Sequence, residues 1–150
     1  MLSELTVVVV DDHPMLRSGV SETLNADEGI EVVGEAGSAN EAVALVTAAN
    51  PDVLVLDLGI PGGGLNAARQ ILASGCDTRI AVLTASEDEQ QFDDALKLGV
   101  SAYMLKGISG SDLVDVVRRV ARGEVYVPPT LAARILIGRT SSRDARSPAD

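Results

Sequence analysis

A single cysteine, Cys76, and a single histidine, His13, occur in the 150 residues. One thiol excludes an intramolecular disulfide and a four-thiolate zinc site, and Cys76 reads as a small loop residue. Positive charge is also scarce: 12 Lys and Arg stand against 22 Asp and Glu, a formal charge of −10. That balance opposes direct binding to nucleic acid or an anionic membrane, which calls for clustered cations. Long apolar runs are missing, and the opening MLSELTVVVV lacks the basic start and apolar stretch of a signal peptide. No membrane contact and a cytoplasmic location are therefore expected.

What the chain does have is alternation. Short β-branched runs at 6–10, 30–36, 52–57, 79–84 and 101–106 are separated by segments whose apolar residues recur at three and four, such as Leu16, Val20, Leu24 or Leu113, Val116, Val117, Val120. The pattern predicts one α/β domain, with five strand–helix units and an open parallel sheet covered on both faces. Ser38 with Glu41, and Ser86 with Glu89, fit helix capping boxes, and Pro14 suits a first helical turn. The helix after the third strand is expected from about Leu65 to Ser74, with Gly75 ending it. Residues 126–137 are expected as a short helical extension, helical from about Pro129 to Ile137. Residues 138–150 are polar and nonperiodic, as a linker or frayed end would be.

In such a sheet all strand C-termini share one edge, where ligands settle. VVVVDDHP places Asp11 and Asp12 there, and Asp57, Thr84 and Lys106 end the third, fourth and fifth strands. Singly, each is a turn, cap or solvated residue. Together, three carboxylates and an ammonium suit a hard divalent cation, Mg²⁺ or Mn²⁺, whose charge would relieve their repulsion. Beside that cation Asp57 becomes a nucleophile toward a phosphoryl group, with Lys106 pairing to its oxygens and the Thr84 hydroxyl donating to one. His13 reads as a residue that packs or caps the first helix.

DDHPMLRSGV, PDVLVLDLGIP, VLTASED and GVSAYMLKG, together and in order, resemble the receiver domain of two-component response regulators. DDHP and the stretch from YMLKG to GEVYVPP are similar to the NarL/FixJ (LuxR-type) subfamily. The resemblance implies a flavodoxin-like (βα)5 doubly wound sheet of order 2-1-3-4-5, with the receiver over residues 1–125. It implies Asp57 as phospho-acceptor, Asp12 as direct and Asp11 as mainly water-mediated metal ligand, and a metal-binding carbonyl at Gly59. Thr84 would be the switch hydroxyl, Lys106 the phosphate-pairing lysine, and Tyr103 the aromatic that turns inward as the switch is thrown. Gly59 and Ser86 occupy the positions that set phosphoryl lifetime. The implied donor is a sensor histidine kinase. The implied output is a homodimer formed on phosphorylation, through the helix at 88–98 or through the first or fifth helices, with DNA reached only by an output domain beyond residue 150.

Two departures from the family pattern stand out. The loop after Asp57, LGIPGGGLN, is one residue shorter than usual, and Gly107 stands where many relatives carry proline. Other readings are a stand-alone receiver acting through protein contacts and an aspartyl-phosphate phosphohydrolase. The latter commonly has a second aspartate two residues after the nucleophile, where Gly59 stands. A flavin module would want a hydroxyl-rich loop in place of VVVVDDHP.

Overall fold

The computed structural model describes residues 5–134, 136 and 137. Its elements run β1 (Leu5–Val10), α1 (Pro14–Asn25), β2 (Ile30–Ala36), α2 (Ala39–Ala49), β3 (Val53–Leu56), α3 (Gly64–Ala73), β4 (Arg79–Thr84), α4 (Glu89–Leu98), β5 (Ala102–Leu105) and α5 (Gly110–Ala121). The strands form one sheet in the order β2-β1-β3-β4-β5, and every adjacent pair is parallel. This is the doubly wound arrangement expected from the alternation.

The four valines at 7–10 show why β1 is central. A strand points successive side chains to opposite faces. Val8 and Val10 therefore join the cluster formed with α2, α3 and α4, including Ala42, Ala68, Phe92 and Ala95. Val7 and Val9 join the cluster formed with α1 and α5, including Leu24, Val116 and Val117. All four are at most 1% exposed, and each such burial contributes about 1.5–3 kcal/mol. A strand buried on both faces needs no polar alternation. The edge strand β2 does alternate, with exposed Glu31 and Val33 between buried or partly buried neighbours.

Local signals act where the sequence places them, with one exception. Pro14 opens α1. The Ser38 side chain caps α2 by accepting from the Glu41 N–H, while the Glu41 carboxylate takes the Gly37 N–H at 3.0 Å. The expected box of Ser86 with Glu89 is not formed. The Ser86 hydroxyl accepts from the Asp88 N–H at 3.1 Å, and Asp88 itself caps α4 through the Gln90 N–H at 2.9 Å. Asp88 prevails because it directly precedes the first helical residue and adds a negative charge to the helix start.

After Asp57 the short loop turns through Gly62 and Gly63, at φ +88° and +89°. Gly64 then lies so near the chain that a β-carbon there would stand 2.4 Å from Leu58 Cα and 2.7 Å from the Asp57 carbonyl oxygen. The loop closes by direct backbone approach. Cys76 is half-buried after α3, its thiol 3.5 Å from the Ile71 carbonyl oxygen. Beyond α5, Tyr126 forms an isolated parallel bridge with Ala102, and residues 129–134 are helical, as are 136 and 137. The expected tail at 138–150 lies outside the described residues. Among those described, no helix is long and apolar enough to cross a membrane.

Candidate functional site at the carboxyl edge

Register brings the acidic residues together. Val10 is paired with Leu56, and the Asp57 N–H donates to the Val10 carbonyl at 3.0 Å, so the ends of β1 and β3 are level. The Asp11 N–H is bound by Ala36 O at 3.1 Å and the Lys106 N–H by Thr84 O at 2.9 Å. Each site side chain thus leaves a backbone already fixed by the sheet.

Asp11 and Asp57 are 3% and 5% exposed, an unfavourable position for charge unless it is paired. The Lys106 ammonium bridges them, 3.1 Å from Asp11 Oδ2 and 3.2 Å from Asp57 Oδ2. The remaining oxygens are also served. The Gly59 N–H donates to Asp57 Oδ1 at 3.2 Å, and the His13 N–H to Asp11 Oδ1 at 2.8 Å. Repulsion between Asp11 and Asp57 is therefore offset in part within the chain, by the Lys106 ammonium they share. Burial pushes the Asp11 carboxyl upward, but the His13 N–H, Lys106 and the His13 ring together hold it below the usual carboxylate range. Burial likewise depresses Lys106, and the two aspartates outweigh it to leave the ammonium above its ordinary value.

His13 departs from its expected role. It occupies the N-cap position of α1 without a side-chain cap bond. Its ring, 68% exposed, instead lies 3.0 Å from Asp11 Oδ1 and 3.2 Å from Asp12 Oδ1. The imidazole is taken by the two adjacent carboxylates and not by the helix end. Ligand atoms of Asp11, Asp12, His13 and Asp57 all lie within 4.8 Å of one another, a predominantly oxygen donor set that fits a hard divalent cation.

The other rim residues divide into two groups. Gly59 borders the carboxylate, since a β-carbon there would be 3.9 Å from both Asp57 oxygens, which leaves that flank open to water. Thr84, 4% exposed, accepts the Ser86 N–H at 3.2 Å. Tyr103 is fully buried, with its ring edge-on to Phe92 at 4.9 Å. The ring thus lies inside, in the position to which the resemblance implies that it turns.

Two contributors escaped the sequence reading. Arg17 Nη1 donates to the Asp11 carbonyl at 2.9 Å, and its Nε to Glu35 at 3.0 Å, tying the turn after β1 to the end of β2. Its signal was a cation three residues before Val20, beside the apolar stripe of α1. Gln91 donates to Tyr103 Oη at 3.0 Å and lies 3.5 Å from Thr84 Oγ1. Its signal was a polar residue preceding the buried Phe92.

A family model described as the response regulator receiver domain matches residues 7–118. The chain is 37% identical over 143 residues to the DNA-binding transcriptional activator DevR/DosR of Mycobacterium tuberculosis, covering 95% of this chain and 66% of that protein. It is 35% identical over 145 residues to the nitrate/nitrite response regulator protein NarL of Escherichia coli, covering 93% of this chain and 67% of that one. It thus spans about two thirds of the length of these curated relatives. A solved two-component response regulator of the LuxR family from Aurantimonas superposes with a TM-score of 0.85 at 32% identity, over 92% of this chain and 99% of that one.

Proposed function

Because the chain belongs to the response regulator receiver family, as a module of the NarL/LuxR type, we propose that it accepts a phosphoryl group on Asp57 from the phosphohistidine of a sensor histidine kinase. The observation that carries this reading is the setting of Asp57. It is a buried carboxylate at a strand end, held between the Lys106 ammonium and the Gly59 N–H and beside two further aspartates.

In the transfer, an Asp57 carboxylate oxygen attacks phosphorus. The O–P bond forms as the P–N bond of the donor breaks, and the electron pair returns to the imidazole nitrogen. Lys106 exchanges part of its contact with Asp57 for a phosphoryl oxygen, and the Thr84 hydroxyl donates to another. Asp12 directly, Asp11 mainly through water, Asp57 and the Gly59 carbonyl would hold Mg²⁺ or Mn²⁺, which supplies positive charge at the phosphoryl oxygens. With no side chain at Gly59 and only a small one at Ser86, attacking water meets less obstruction at the acyl phosphate. The module turns over no other substrate. Its role is to control transcription by dimerising on phosphorylation and relaying that state to a DNA-binding output domain beyond residue 150, in the cytoplasm.

Intact-mass measurement with acetyl phosphate tests this directly. One base-labile adduct is expected, dependent on divalent metal and lost in Asp57→Asn. An adduct that persists in Asp57→Asn would refute the assignment.

A further inference from the structure

His13 brings an imidazole nitrogen to a donor set otherwise made of carboxylate oxygens. Its ring makes no cap bond to α1 and turns Nδ1 to Asp11 Oδ1 at 3.0 Å and to Asp12 Oδ1 at 3.2 Å. Donors about 2.0–2.1 Å from one tetrahedral ion stand about 3.3 Å from each other. Those two spacings are therefore close to the spacing of neighbouring ligands on a single cation. One atom each from Asp11, Asp12, His13 and Asp57 lies within 4.8 Å of the others. Asp11 and Asp57 are buried, whereas Asp12 and His13 are exposed and can draw in on them.

Mg²⁺ has little use for that nitrogen, because it takes an octahedron of hard oxygens and keeps several as water. Imidazole suits Zn²⁺ and Ni²⁺ instead. We propose that His13 makes this pocket a second kind of metal site, for a nitrogen-preferring divalent ion typified by Zn²⁺, which displaces Mg²⁺ and blocks phosphorylation. This rests on the phosphorylation reading above.

Ligation needs the neutral ring with its proton on Nε2, leaving the Nδ1 lone pair for the ion. With 68% of the side chain exposed, water can serve the Nε2 proton and the ion has a path in. Four donors from the chain complete a tetrahedral zinc ion, the pattern of sites that hold the metal closed. A closed ion leaves no position for a phosphoryl oxygen. Mg²⁺, which holds exchangeable waters, does leave one. The same acidic edge thus accepts a phosphoryl group with one ion and refuses it with the other.

The test uses the untagged 150-residue chain, in which His13 is the only histidine, so every imidazole NMR signal belongs to it. Zn²⁺ should move the Nδ1 resonance far more than Nε2, whereas Mg²⁺ should move the Gly59 and Lys106 amides and disturb Nδ1 little. In competition titrations Zn²⁺ should bind more tightly than Mg²⁺ and be driven off by excess Mg²⁺. His13→Ala should lower the ratio of Zn²⁺ to Mg²⁺ affinity by at least about tenfold, the low end of what even an outer-shell partner contributes. By intact mass with acetyl phosphate and Mg²⁺, the Zn²⁺ concentration that halves the adduct should rise by the same factor in that variant. A ring that only pairs with the carboxylates as a cation would be pushed away by either ion. Equal Nδ1 shifts with Zn²⁺ and Mg²⁺, an affinity ratio unchanged in His13→Ala, or Zn²⁺ binding indifferent to Mg²⁺ would each overturn the proposal while leaving the phosphorylation reading intact. If Mg²⁺ moves neither amide and no adduct forms, the phosphorylation reading itself falls and takes this inference with it.

Discussion

Strand β3 carries an aspartate just beyond each end, and the two have opposite fates. Asp52, at the entry, is exposed, and its Oδ2 accepts from both the Thr6 N–H at 2.8 Å and the Thr6 hydroxyl at 3.2 Å. Its own N–H returns a bond to Thr6 Oγ1 at 3.1 Å. It is a staple between β3 and β1. Asp57, at the exit, is buried, and what holds it is an ammonium from the end of β5 and the N–H two residues on. The first carboxylate is used up by structure; the second is neutralised by a side chain able to change partners. What separates them is the direction of the strand, because only the exit edge collects side chains from several strand ends.

Substituting each aspartate separates the two roles most sharply. Asp57→Asn should abolish the phosphoryl adduct entirely while leaving the urea midpoint at or above that of the native chain, since a buried charge is removed with little change of shape. Asp52→Ala should form the adduct normally but lose about 1–2 kcal/mol, the usual net value of two hydrogen bonds. Paired mass and urea measurements check both. Loss of the adduct in Asp52→Ala at full folding would erase the distinction.

The sheet was legible before the structure because its determinants are periodic. Valine runs buried on both faces and helical stripes with apolar spacings of three and four can be read without knowing what they pack against, and the strand ends were placed within one residue. The site was legible in part for a related reason: topology sends Asp11, Asp57, Thr84 and Lys106 to one edge whatever their rotamers. That shared edge suggested a cation and phosphoryl chemistry at Asp57, Lys106 and Thr84, while the division into direct and water-mediated metal ligands and the switch role of Tyr103 came from resemblance. What stayed hidden were partners chosen in three dimensions. Arg17 reaches a backbone carbonyl, Gln91 joins two hydroxyls from different strands, and Asp88 displaces Ser86 as the α4 cap. A side chain with several possible acceptors leaves no periodic trace of which one it takes.

Removing the ammonium tests whether Asp57 is held by a replaceable partner. Lys106→Met leaves Asp11 and Asp57 facing each other without their shared ammonium, and a stability loss of about 1–3 kcal/mol is expected, at or below the usual range for breaking a buried pair because the pocket opens to water. Added Mg²⁺ should then raise the melting temperature more in the variant than in the native chain, as the cation replaces the missing charge in the folded state only. Thermal melts with and without millimolar Mg²⁺ decide this. An equal shift in both proteins would mean that Lys106 and a cation do not share the task of neutralising these carboxylates.

The smallest effect concerns an aspartate that resembles Asp52 in its structural role. Asp27, just after α1, accepts the Gly29 N–H at 3.0 Å and forms an ion pair with Arg118 on α5. These two contacts hold its carboxyl below its ordinary value, against a minor opposing effect of burial. In the unfolded chain that depression vanishes, so on acidification the unfolded chain takes up this proton before the folded chain does. The stabilisation is therefore fully present above the ordinary carboxylate pKa and is lost as pH falls through the lowered folded value. Asp27→Asn keeps an oxygen for Gly29 but loses the charge. The native chain should accordingly hold a small stability advantage over the variant at neutral pH, which narrows toward zero below the ordinary carboxylate range and shrinks with added salt. Urea midpoints of the two proteins measured from pH 7 down to strongly acidic conditions give the difference directly, because the titration of the shared carboxylates largely cancels. A gap that widens on acidification would reverse the sign assigned to this pair and show that Arg118 stabilises the helix packing without needing the Asp27 charge.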